Sequence, residues 1–208
     1  MIRITSASIF TFYAIALYFS LIWGLFFFSV FKTNQVSVKK SIYIFFTVQL
    51  LIFFLVSLLD INQFNPFYRL IDDGNSFVNR IIGFIFGVGL FEEFIKLIPV
   101  YFFIKYSKEP LLPQTVVFYG LISGIGFGVF EGVIYQISVN SKLDYNTSFF
   151  MNIARLTSLP FLHAVWSGIS SYFLAFFFYI QQKDIRCLYL QYLFLQFCTV
   201  YMMYLLGR

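Results

Sequence analysis

A helix crosses the roughly 30 Å hydrocarbon core of a bilayer with about 20 apolar residues. Six windows of this sequence reach that length: 7–31, 42–59, 77–104, 114–139, 149–180 and 185–206. Lipid offers no partners to backbone N–H and C=O groups, so each window has to satisfy its own, and a helix does so internally. Hydrophobic residues fill 60% of the 208 positions and charged residues only 11%, which leaves too few polar side chains to cover a water-facing surface. The sequence therefore predicts an all-α fold, a polytopic transmembrane helix bundle of about six spans. Because the connections are short, residues 1–208 read as a single integral membrane domain.

The first window exceeds the roughly 7–15 apolar residues of a secretory signal, and no small-residue cleavage site follows it, so it is expected to remain as a helix. Cys187 and Cys198 stand eleven positions apart in the last window, too distant along a helix to bond, and read as packing residues. The sequence has no Cys-x-x-Cys pair, phosphate-binding glycine loop or His-Glu-x-x-His helix, which removes several common enzyme classes. The net charge of +5 reads as the basic bias of cytoplasmic loops, and no nucleic-acid partner is expected. The connections 32–40, 105–113 and 181–186 carry Lys32, Lys39, Lys40, Lys105, Lys108, Lys183 and Arg186. Arg3, Arg69, Arg80, Lys142 and Arg208 fall on the other side. Placing the more basic side in the cytoplasm puts both termini outside.

Ionisable residues divide the windows into two kinds. Spans 7–31 and 42–59 hold almost none and read as scaffold, with apolar side chains on every face. Residues 60–76 are rich in turn formers, among them Asn62, Asn65, Pro66, Asp72, Asp73, Gly74 and Asn75, and are expected to form a surface loop. Spans three to five carry Glu92, Glu93, Lys96, Glu131, Arg155 and His163, so a catalytic core is placed within 77–180. The fourth span repeats glycine at Gly120, Gly124, Gly128 and Gly132, with Gly126 between, a face that a neighbouring backbone can approach closely. Spans three and five are longer than a perpendicular crossing needs and contain Pro99 and Pro160, so both are expected to tilt or break.

A charge at mid-membrane costs roughly 2.5–3.5 kcal/mol on insertion scales, so this concentration of charge needs pairing or water. Glu92 and Lys96 are four apart and are expected to pair on one helix face, leaving Glu93, about 100° away, to point elsewhere. Glu93, Glu131 and His163 are expected to meet in one cavity. Two neighbouring carboxylates in a low dielectric resist double ionisation, which makes one available as a base for water. An imidazole beside them can polarise a carbonyl or shuttle the proton. Arg155 reads as a structural counter-ion of a glutamate, and Ser167, one turn beyond His163, as a supporting residue that bonds its own helix backbone. The single histidine favours metal-free catalysis and no cofactor, since catalytic zinc usually takes more nitrogen ligands; were zinc bound, Glu93, Glu131 and His163 would be its ligands.

Glu92-Glu93-Phe94-Ile95-Lys96 resembles the Glu-Glu-x-x-Lys motif of the PrsW family of intramembrane proteases. YGLISGIGFGVFEGVIY, from Tyr119, resembles the family's glycine-rich helix with its glutamate, and RLTSLPFLHAVWS, from Arg155 to Ser167, its Arg and Pro-x-x-His segment. The three blocks occur in the family's order within about residues 84–172. A Glu-Glu motif followed by histidines is also similar to the CAAX prenyl proteases. The resemblance implies an endopeptidase that cuts a membrane-associated protein, such as an anti-sigma factor. Glu92 and Glu93 would activate water, and Glu131 and His163 would complete the site. The chain departs from the family in window 185–206, which lacks a His followed by Asp or Asn and offers Gln196.

Together these features lead us to expect an intramembrane peptidase of the plasma membrane, whose partners are the lipid bilayer and a membrane-anchored protein substrate. A proton-coupled transporter or channel is an alternative, because buried Glu and His also form proton relays. Transporters often show internal repeats, and none is evident between the halves. A third reading is an inactive relative that only binds membrane peptides.

Overall fold

A computed structural model describes residues 6–58, 65–72 and 76–180, and every element among them is helical. The window 185–206, with Cys187, Gln196 and Cys198, lies outside the described residues. Helix α1 spans Ser6–Phe31 and α2 spans Val38–Ile52, the latter continuing through a π-helical turn, Phe53–Leu58. Short helices α3 (Pro66–Asp72) and α4 (Phe77–Ile82) follow, then a π-helical segment, Gly83–Gly89, that runs unbroken into α5 (Leu90–Lys105). Helix α6 covers Pro113–Ser138 and, after a 3-10 turn at Asn140–Lys142, α7 covers Tyr145–Ile180. Among the described residues, four stretches are long and apolar enough to cross a membrane: Ile9–Phe31, Val38–Leu55, Pro113–Ser138 and Asn146–Phe178.

Residues 66–72 depart from the expected loop, and the sequence supplies the reason. Asn65 caps the helix, accepting from Phe67 N at 3.1 Å, and Pro66 takes the first helical position, where its missing N–H is harmless. The capped helix lies across the π segment. A Cβ at Gly83 would sit 2.9 Å from Phe67 O, and one at Gly87 2.8 Å from Tyr68 N, so two glycines of the π segment let α3 rest on its backbone. Asn65 Nδ2 then donates to Gly87 O at 2.9 Å, taking up a carbonyl of the π segment.

Helix α6 is the axis of the bundle, buried on most of its circumference and packed against α1, α2, α5 and α7. Its glycine repeat faces α7. A Cβ at Gly124 would overlap the His163 carbonyl, one at Gly120 the Ser171 side chain, and one at Gly128 would lie 2.7 Å from Pro160 Cα. Gly126 points the other way, where Phe45 O on α2 occupies the space a side chain would need. The outer faces of α1 and α2 expose Phe10, Tyr18, Leu21, Leu25, Tyr43 and Leu50, as lipid contact requires. Gly124→Ala is accordingly expected to lower stability by about 1–3 kcal/mol through overpacking against backbone. Gly24→Ala, with nothing within 4 Å of the added methyl, should show no loss. Thermal unfolding of the two variants in detergent micelles makes the comparison.

In α5 and α7, which have interior prolines, a neighbouring helix bonds a carbonyl in the turn before the proline. Proline lacks the N–H that would bond the carbonyl four residues back and loosens the turn before it. Ser123 Oγ on α6 donates to Lys96 O at 2.6 Å, three residues before Pro99. Trp23 Nε1 on α1 donates to Thr157 O at 2.9 Å, three residues before Pro160. The first of these bonds fixes the backbone of Lys96, and with it the start of the site.

Candidate active site

Five ionisable side chains from α5, α6 and α7 meet inside the bundle. Lys96 Nζ lies 2.7 Å from Glu93 Oε1 and 2.7 Å from His163 Nδ1, and 4.0 Å from Glu92 Oε2. The other ring nitrogen, His163 Nε2, lies 2.8 Å from Glu131 Oε2. Ser170 Oγ donates to Glu93 Oε2 at 3.2 Å. The result is a chain of contacts, Ser170 to Glu93 to Lys96 to His163 to Glu131, that crosses three helices. Lys96 is also 4.5 Å from the centroid of the Phe127 ring, which flanks His163 at 5.1 Å, so an aromatic face replaces part of the hydration the ammonium loses.

The pairing of the two adjacent glutamates is the reverse of the sequence expectation. Lys96 takes Glu93, three residues back, as its close partner and holds Glu92, four back, at ion-pair limit. Both spacings bring residues to one side of a helix, so sequence distance alone does not choose between them. Burial chooses. Glu93 is 1% exposed and has Ser170 as a second donor, so its charge is met by two partners. Glu92 instead turns toward an opening.

That opening is a cavity of about 270 Å³ beneath α3, lined by Glu92 and Glu131 together with Tyr68, Phe91, Ile95 and Tyr135. Glu93 is not part of its lining. Glu92 Oε2 is buried there without a hydrogen-bond partner. One ligand atom from each of Glu92, Glu131 and His163 falls within 4.8 Å of the others, a group that could hold a metal ion. It differs by one residue from the expected set, with Glu92 in place of Glu93.

Two supporting residues lie elsewhere. Arg155 Cζ sits 3.9 Å from the centroid of the Tyr135 ring, stacked at the cavity's edge rather than at ion-pair distance from a glutamate in the described contacts. Ser167 is fully buried and its Oγ has no hydrogen-bond partner among the described residues, while its carbonyl abuts Gly120. Ser170 escaped the sequence reading. The signal was the spacing of His163, Ser167 and Ser170, four and three apart on one face of a helix.

In known proteins, the model of the PrsW family intramembrane metalloproteases matches residues 14–200. No curated protein and no solved structure matches the chain. The match spans α2 to α7 and most of α1, and it takes in every residue of the buried cluster. With a membrane-crossing bundle around that cluster, the chain belongs to the PrsW family of intramembrane metalloproteases and is a peptidase.

Proposed function

We propose that peptide hydrolysis takes place at Glu92, Glu131 and His163, the two glutamates lining the cavity and His163 reaching it through Glu131, and that Glu93, Lys96 and Ser170 hold this group in position. One observation carries the reading: three potential ligand atoms from three helices gather within 4.8 Å beside a cavity that two of them line, and Glu92 Oε2 is buried with no hydrogen bond and only Lys96 at ion-pair limit. Buried polar atoms in folded proteins are nearly always hydrogen-bonded, so such an oxygen beside a cavity marks a place for water, substrate or a cation.

Two carboxylates and one imidazole could hold a divalent cation, with Glu92, Glu131 and His163 as its holders, and the family's metalloprotease character favours one over the metal-free reading. When bound, such an ion supplies Lewis-acid polarisation of the scissile carbonyl. The protein's own groups have separate tasks. Glu92, of which one carboxylate oxygen would serve the ion, keeps a second oxygen to accept the proton as the water oxygen attacks. His163 is held at Nδ1 by Lys96, which aims Nε2 at Glu131 and the cavity wall. A cation held by His163 would displace a ring proton, so metal loading would depend on pH. Phe91, Ile95 and Phe127 limit access of bulk water to the group.

A membrane-anchored protein such as an anti-sigma factor is the proposed substrate, and the plasma membrane the proposed location. The experiment is cleavage of a single-span substrate by protein purified in detergent, before and after treatment with a strong zinc chelator. Activity should fall to background and return with added zinc, and His163→Ala should carry less metal by elemental analysis. Full activity in metal-stripped protein would return the reaction to the carboxylates alone. No cleavage by the zinc-loaded protein of any single-span candidate would favour a peptide-binding relative.

A further inference from the structure

A second and larger cavity, of about 1050 Å³, lies between α2 and α5 at the basic end of the bundle. It is distinct from the active-site cavity, with which it shares no lining residue. Its lining changes with depth. Near the connections it presents Asn34, Ser37, Lys40, Ser107 and Lys108, and farther along the two helices mainly Ile44, Leu51 and Ile98, with Thr47 among them.

The polar end is built rather than incidental. Gln35 ties the α1–α2 connection to the α5–α6 connection: its Nε2 donates to Pro110 O at 3.0 Å and its Oε1 accepts from Leu112 N at 2.8 Å. Lys40 Nζ is seated 5.0 Å from the Phe103 ring centroid at the cavity wall. Two lysines against one acid, Glu109, make the mouth electropositive.

We propose that this cavity binds one anionic phospholipid, with its phosphate at the Lys40 and Lys108 end and an acyl chain along Ile44, Leu51 and Ile98. The gradient of the lining favours lipid over polypeptide. A peptide reaching the deep end would carry backbone donors and acceptors into an apolar wall, at a cost of several kcal/mol for each unsatisfied group, whereas an acyl chain carries none. The connections that form the mouth are also those assigned to the cytoplasm by charge, the leaflet where anionic lipids attract basic residues. Because α5 carries Glu92, Glu93 and Lys96, a lipid wedged against it would steady the helix that bears three of the five clustered ionisable side chains.

Native mass spectrometry of the full chain, titrated with phosphatidylglycerol or phosphatidylcholine of matched acyl chains, tests this. Phosphatidylglycerol should bind more tightly, and Lys40→Gln with Lys108→Gln should weaken it by roughly fivefold per lysine. Lys40→Arg with Lys108→Arg should keep the preference, which separates lost charge from lost fold. Equal binding of the two lipids, or a preference unchanged in the glutamine variant, overturns the proposal. So does displacement of phosphatidylglycerol by inorganic phosphate or by an acidic peptide at similar concentration, since either would reassign the mouth to another ligand.

Discussion

Glu92→Gln is expected to lower the rate of substrate cleavage by about 10²–10⁴-fold, the range typical of losing a positioned general base, with no comparable loss of stability. Glu92 faces the cavity, and its nearest cation, Lys96, keeps Glu93 as a partner at 2.7 Å when the Glu92 charge is removed. Glu93→Gln should behave differently. It sits behind the cluster and is sealed from the cavity, so its removal loosens Lys96 and His163 and lowers melting temperature and activity together. Turnover of a single-span substrate and thermal unfolding, measured on both variants in the same detergent, distinguish the two roles. Glu92→Gln retaining activity within a few-fold of the parent would remove it from the proton transfer.

Lys96→Met should destabilise the bundle by about 3–5 kcal/mol, the usual result of stranding one partner of a buried ion pair. The lysine is completely buried, and it is the hub that touches Glu93, His163 and the Phe127 face. Its loss leaves the Glu93 carboxylate with Ser170 as its remaining donor. Adding Glu93→Gln to Lys96→Met should restore much of the stability, because the stranded charge is then gone. The two single variants should therefore be strongly non-additive in a double-mutant cycle. Additivity, or a loss under 1 kcal/mol for Lys96→Met, would show that the buried Glu93–Lys96 pair is not coupled as described.

Much of the site was legible because charge in a lipid setting is conspicuous. Glu92, Glu93, Lys96, Glu131 and His163 stand out against apolar neighbours, and glycine at every fourth position of α6 foretold a close helix contact. The structure puts α7 on that glycine face, with the His163 carbonyl against Gly124. Less legible was which glutamate pairs with Lys96, since three- and four-residue spacings both share a helix side and only packing around Glu93 separates them. Arg155, read as a counter-ion, is placed by its described contacts on a tyrosine face for a related reason. A lone arginine among glutamates suggests an ion pair, yet a tyrosine face 3.9 Å away offers a partner that no charge count reveals. Ser170 and the helix at Pro66–Asp72 left local signs that are weak when read one residue at a time.

The solvent, the helical class and the identity of the chemically able side chains were determined by the sequence alone, because they depend on composition and on the length of apolar runs. Only the tertiary structure decided which carboxylate faces the cavity and which is locked behind it. That choice depends on burial and on contacts between residues up to 77 positions apart, such as Ser170 with Glu93, which exist only once α5, α6 and α7 have packed.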